Sequence, residues 1–184
     1  MNAIESNTEI EFIILNTPLG DMIAGADGIG ISVLEFLDAD KKIFSGEKNI
    51  STDASENMLL QKLKTQLADY FSGERKTFDL SLSLSGTDFQ KRVWNELQKI
   101  PFGKTRSYKE QTLALGNMKA IRAVASANGA NPIAIIIPCH RVIGEDGKLT
   151  GYAGGLWRKK ALVDLEKNFS SDEKQLSLLD EQTR

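Results

Sequence analysis

Along residues 9–15 (EIEFIIL) polar and apolar positions alternate and then give way to an apolar run, which predicts a strand. Residues 22–25 and 30–36 predict two more, separated by Asp27-Gly28 and preceded by the turn Pro18-Leu19-Gly20-Asp21. Residues 37–54 are polar and read as a loop. Over residues 55–71 the spacing becomes helical: Leu59, Leu60, Leu63, Leu67 and Phe71 share a face, and Gly73 stands where a C-cap belongs. Residues 78–84 alternate weakly and predict a further strand. The first 86 residues thus read as a small antiparallel sheet with a helix.

The second half has a different pattern. Thr87 and Gln90 have capping-box spacing ahead of Phe89, Val93, Trp94 and Leu97 on one helical face. Pro101-Phe102-Gly103 ends that helix. Ser107 and Glu110 form a second capping box, opening a short helix that stops at Gly116. Asn117 then caps a helix over 118–128, so the pair reads as a helix-turn-helix. This last helix carries Ala120, Ala123, Ala125, Ser126 and Ala127, side chains small enough for close approach to another surface or for packing on the core. Residues 133–137 form a buried-looking run, Glu145-Asp146-Gly147-Lys148 a hairpin-type turn, and residues 151–155 a glycine-rich loop. A final helix is predicted over 157–168, followed by a polar tail, 169–184, expected to fray.

Composition narrows the function. A chain of 184 residues, 41% hydrophobic, has apolar material for a core. It has no apolar stretch of membrane-spanning length, and residues 1–7 do not look like a signal peptide. One cysteine and one histidine permit no intrachain disulfide and argue against a metal site of the usual Cys/His type. A lone free thiol fits a reducing compartment, so a cytoplasmic, nucleoid-associated location is expected, or a nuclear one in a eukaryote. The net charge of −2 hides a split: residues 1–84 carry 7 Lys/Arg against 14 Asp/Glu, and residues 85–170 carry 14 against 7. A basic second half suits a polyanion; surface lysines on helices would give the same count.

The chemistry centres on Cys139, whose neighbour His140 is the chain's one histidine. A thiol must lose its proton to become a nucleophile, and histidine is the usual acceptor. Neighbouring side chains on extended backbone point apart, so the two can cooperate only if the chain turns or a water bridges them. A carboxylate behind the histidine would set its tautomer, and Glu166 and Asp164 are the downstream candidates. Such a relay is expected to lower the Cys139 pKa and populate the thiolate at neutral pH.

Pro138-Cys139-His140-Arg141-Val142-Ile143 resembles the active-site signature of the O6-alkylguanine-DNA alkyltransferases, the methylated-DNA–protein-cysteine methyltransferases. The resemblance extends over residues 87–167. It includes Phe89-Gln90, Val93-Trp94, Ile100-Pro101, Gly103, Ser107-Tyr108, Arg122-Ala123-Val124, Asn131-Pro132, Gly151-Tyr152, Gly154-Gly155, Lys159 and Glu166. It implies an α+β fold: an RNase H-like N-terminal unit, 1–86, then a mostly helical unit with a winged helix-turn-helix, 87–168. It implies irreversible transfer of an alkyl group from O6-alkylguanine in DNA to Cys139, with O4-alkylthymine the second candidate substrate. In that scheme His140 is the base through a water, Glu166 orients it, and Asn131 braces the turn. Tyr108 and the Ala153 N–H meet the flipped guanine, the carbonyls of Cys139 and Val142 read its amine, and Tyr152 walls the pocket. Ser107, Arg122 and Ala123 lie at the DNA, with Arg122 filling the gap in the base stack. The partner is double-stranded DNA, bound by a monomer through the minor groove, with no cofactor, metal or membrane. Gln111-Thr112, Met118, Ile121 and Ala125 depart from the family's usual Leu-Ala, Pro, Ala and Gly.

Two other readings are weaker. A helix-turn-helix regulator or a lesion binder without transfer activity needs no cysteine at this place. A cysteine hydrolase normally keeps its cysteine and histidine far apart in sequence.

Overall fold

The computed structural model describes residues 10–37, 50–51 and 57–181. Strands β1 (Glu11–Leu15), β2 (Met22–Ala26) and β3 (Ile31–Phe36) form an antiparallel meander in which Glu11 faces Ala26 and Met22 faces Phe36. A two-residue β4 (Ile50–Ser51) joins β1 in parallel, giving the order β3-β2-β1-β4. Most of the loop predicted over 37–54 lies outside the described residues.

Helix α1 (Met58–Ser72) covers this sheet with Leu60, Leu63, Leu67 and Tyr70 inward. It starts three residues later than predicted because Asn57, not Ser55, caps it: the Asn57 side chain accepts from the N–H of Leu59 and Leu60. Gly73 ends it in the left-handed conformation, φ 85°, as its position predicts. The strand predicted over 78–84 is reduced to one parallel bridge between Ile31 and Leu82. The chains touch at Gly30, where a Cβ would lie 2.5 Å from the Ser81 carbonyl oxygen.

Both predicted capping boxes are present, Thr87/Gln90 opening α2 (Asp88–Gln98) and Ser107/Glu110 opening α3 (Tyr108–Ala114). After Gly116 the chain enters a 3-10 turn (Met118–Ala120) capped by Asn117 and then α4 (Ile121–Gly129), completing the helix-turn-helix. The Trp94 indole donates to the Ala127 carbonyl at 2.8 Å and fastens α2 to α4. Two-residue strands β5 (Arg106–Ser107) and β6 (Val142–Ile143) pair in parallel beside α3. The turn at 144–148 closes by a Gly144 N–H bond to the Lys148 carbonyl. Helix α5 runs Leu156–Glu181, so residues 169–181 continue the predicted helix instead of fraying. No proline or glycine interrupts the sequence there. No helix among the described residues is long and apolar enough to cross a membrane.

Candidate active site

The run at 133–137 is buried, as its sequence suggests, but it turns. Leu34 donates to the Pro132 carbonyl and Ala134 to the Leu34 carbonyl, anchoring the run to β3. The chain then reverses at Ile135, a β-branched residue at φ 71°. That conformation costs about 1–3 kcal/mol. The full burial of Ile133, Ile135 and Ile137 opposes that cost. Asn131 ties the turn together: its Oδ1 accepts from the Ile133 N–H at 3.1 Å, and its Nδ2 donates to the Ile137 carbonyl at 2.7 Å.

Beyond this turn Cys139–Arg141 forms one turn of 3-10 helix, so the backbone does turn at the Cys-His pair. The two side chains still part. Cys139 Sγ accepts from Asn131 Nδ2 at 3.2 Å, whereas His140 Nε2 shares a 2.8 Å hydrogen bond with Glu166 Oε1 on α5. An ionised carboxylate only accepts, so the proton sits on Nε2 and the Nδ1 of the neutral ring is a free acceptor. That Nδ1 is buried and has no partner among the described residues. Of the two candidate carboxylates, Asp164 instead pairs with Lys160 at the surface.

Glu166 is 1% exposed and its carboxylate is crowded with donors. Arg141 Nε reaches Oε2 and Nη2 reaches Oε1, both at 2.9 Å. Tyr70 donates its hydroxyl to Oε1 at 2.8 Å, and the Gly103 N–H donates to Oε2 at 3.0 Å. Burial alone would raise its pKa, but the bonds and charges of His140 and Arg141 outweigh burial and hold it at about 2. Burial pushes His140 below its ordinary value, opposed by Glu166. Burial also pushes the Cys139 thiol up, against the Asn131 amide and the Lys159 ammonium. The direction is opposite to the expected lowering of the thiol pKa, because the low dielectric around Sγ outweighs the neighbouring donors.

Cys139 is 8% exposed and opens on a cleft of about 250 Å³, walled by Asn128, Asn131, Pro132, Tyr152 and Ala153. A larger cleft of about 580 Å³ between β1 and α1 contains no paired nucleophile and base. Tyr152 has a buried hydroxyl without a hydrogen-bond partner. Tyr108, at the start of α3, directs its hydroxyl at the Thr150 carbonyl, 3.3 Å away. Lys159 is fully buried, donates to the Thr150 and Gly151 carbonyls at 2.6 and 3.1 Å, and has its pKa lowered by burial to about 8. Val142 is buried in β6 and its N–H takes the Cys139 carbonyl, which keeps a second lone pair.

Arg122 and Ala123 lie elsewhere, on the exposed face of α4 together with Ile121, Ala125 and Ser126. Ile121 is 41% exposed and faces outward. Ser107 caps α3, accepting from the Glu110 N–H at 3.1 Å. Sequence reasoning gave no role to Arg141, although it lies within the signature, nor to Tyr70, which no local spacing connects to Glu166. It also missed why Gln111 fits its helix. Gln111 and Asn128 exchange two buried amide hydrogen bonds of 3.0 and 2.7 Å between α3 and α4.

Comparison with known proteins returns two family matches. Residues 10–84 match the ribonuclease-like domain of 6-O-methylguanine DNA methyltransferase. Residues 88–168 match the DNA binding domain of the same family. A methylated-DNA–protein-cysteine methyltransferase of Methanosarcina barkeri is 49% identical over 156 residues, 84% of this chain and 96% of that one. A crystal structure of Mycobacterium tuberculosis O6-methylguanine methyltransferase is 43% identical, covers 86% of this chain and 93% of its own, and superposes with TM-score 0.78. A structure of the M. tuberculosis protein in complex with DNA gives TM-score 0.77 at 43% identity, covering 86% and 94%.

Proposed function

The chain belongs to the 6-O-methylguanine DNA methyltransferase family, and from that premise we propose that it repairs alkylated DNA by moving the O6-alkyl group of guanine onto Cys139. The observation that carries this reading is the division of partners at residues 139 and 140. His140 Nε2 is fixed on Glu166 at 2.8 Å, which leaves Nδ1 as a buried free acceptor on the residue that follows the cleft-lining thiol in sequence.

In the reaction Sγ attacks the alkyl carbon, the S–C bond forms and the C–O6 bond breaks. The thiol proton passes through a water to His140 Nδ1. The guanine leaves with the C–O electron pair, its charge eased by the Ala153 N–H and the Tyr108 hydroxyl. Glu166, held near pKa 2, does not take the proton; it orients the ring and stabilises the imidazolium. The product thioether is a poor leaving group, and the chain's single cysteine leaves no second thiol to remove the alkyl group.

The DNA is a duplex entered from the minor groove by α4, with the guanine turned out of the stack into the cleft. Extrusion costs a few kcal/mol. Arg122 is exposed at the start of α4, which supports its filling of the gap. Ala123 and Ser107 lie along the same contact. The protein acts as a monomer in the compartment that holds the DNA, with residues 87–168 as the DNA-binding and transfer unit. Intact mass after incubation with a methylated duplex tests this. One methyl in place of one hydrogen, mapped to Cys139 and absent in Cys139→Ser, supports transfer. An unchanged mass with retained binding supports a lesion binder.

A further inference from the structure

Tyr70 lies in α1, distant in sequence from the Cys-His segment, and is fully buried. Its ring is caged by Phe71, Phe78 and Phe102 at centroid distances of 5.4, 5.5 and 5.9 Å. The cage aims the hydroxyl at Glu166 Oε1, 2.8 Å away. That oxygen is the one His140 Nε2 uses. Burial and the Glu166 charge hold the phenol well above its ordinary pKa, so it stays a neutral donor.

We propose that Tyr70 is a positioning residue of the N-terminal unit that tunes the basicity of His140 by sharing Glu166 Oε1 with it. The proposal rests on the relay read above. Every donor on that oxygen draws off charge that would otherwise hold a proton on the imidazole. The charged and titratable groups facing the pair are Tyr70 from α1, Arg141 from the 3-10 turn and Lys159 from α5. Cys139 and Tyr152 face the same space from the turn and the following loop. Tyr70, His140 and Arg141 share Oε1, and among the described residues Tyr70 is the one of them from the first 86, so it carries an influence of the N-terminal unit into the transfer site.

Tyr70→Phe keeps the ring and removes the donor. The carboxylate then binds the imidazolium proton more tightly, and His140 stays protonated to higher pH. A protonated ring cannot accept the thiol proton, so the acid limb of the transfer rate moves upward. The expected shift is roughly half a pH unit, a fraction of one hydrogen bond to a charged group. The measurement is single-turnover transfer from a methylated duplex across the pH range, for the wild type, Tyr70→Phe, Phe71→Leu and Glu166→Gln. Phe71→Leu loosens the same cage and keeps the hydroxyl, so it should lower stability and leave the limb in place. An unmoved limb in Tyr70→Phe with a moved one in Glu166→Gln overturns the tuning role alone. An equal shift in Phe71→Leu reduces Tyr70 to packing and also overturns it. A limb unmoved in Glu166→Gln overturns the relay itself, and the tuning role with it.

Discussion

Glu166 holds His140 from one side: Oε1 lies 2.8 Å from Nε2, while Nδ1 has no partner among the described residues. The thiol next in sequence bonds to Asn131 instead. His140 is therefore oriented by the last helix, and Cys139 by the turn that precedes it.

The thiol should be protonated at rest. Alkylation of Cys139 by iodoacetamide, without DNA, should rise with pH and show its midpoint above that of an ordinary cysteine. Asn131→Ala removes a donor to sulfur and should move that midpoint higher. A rate that is already level at pH 7 would contradict the burial argument.

Stability should fall in acid through Glu166. Its pKa drops from about 4.5 to about 2 on folding, so its contribution is whole above 4.5 and is lost as pH falls toward 2. The shift corresponds to about 3 kcal/mol. Glu166→Gln leaves Arg141 buried without its carboxylate, so it should destabilise at neutral pH and flatten this acid loss. Urea unfolding at several pH values reads both effects, and an unchanged slope would refute them.

The amide pair between α3 and α4 gives a cycle. Gln111→Leu strands the Asn128 amide and should cost about 1–3 kcal/mol. Gln111→Leu with Asn128→Leu removes both polar groups and should recover most of that loss. Additive losses in denaturant unfolding would show that the two amides do not act as a pair.

Arg122 should matter for extrusion of the base more than for affinity. Losing about 2 kcal/mol of compensation slows duplex repair about thirtyfold. Arg122→Ala should slow single-stranded substrate mildly and free alkylguanine hardly at all. Equal losses on all three would assign Arg122 to the fold or pocket.

The sequence makes legible what lies within a few residues. Both capping boxes, the Gly73 cap and the helix-turn-helix depend on contacts three or four positions apart, and all are present. Weak alternation misleads over 78–84, where the segment pairs with β3 through a single bridge at Ile31. The reversal at Ile135 is invisible in a run of isoleucine and alanine. On spacing alone Asp164 and Glu166 are equal candidates, and only the family resemblance singles out Glu166 before α5 is placed, because two residues on a helix point in different directions. The Tyr70–Glu166 bond spans 96 residues and has no local signal. Nor does sequence report the burial that pushes the thiol pKa up, against the lowering that its neighbouring groups favour.

In the proposed reaction one cysteine accepts one alkyl group and is spent. Titrating protein into excess methylated duplex and counting repaired guanine tests it most directly. The expected outcome is a plateau at about one guanine per chain, with the alkyl group on Cys139. Product that keeps rising beyond the protein concentration would contradict it.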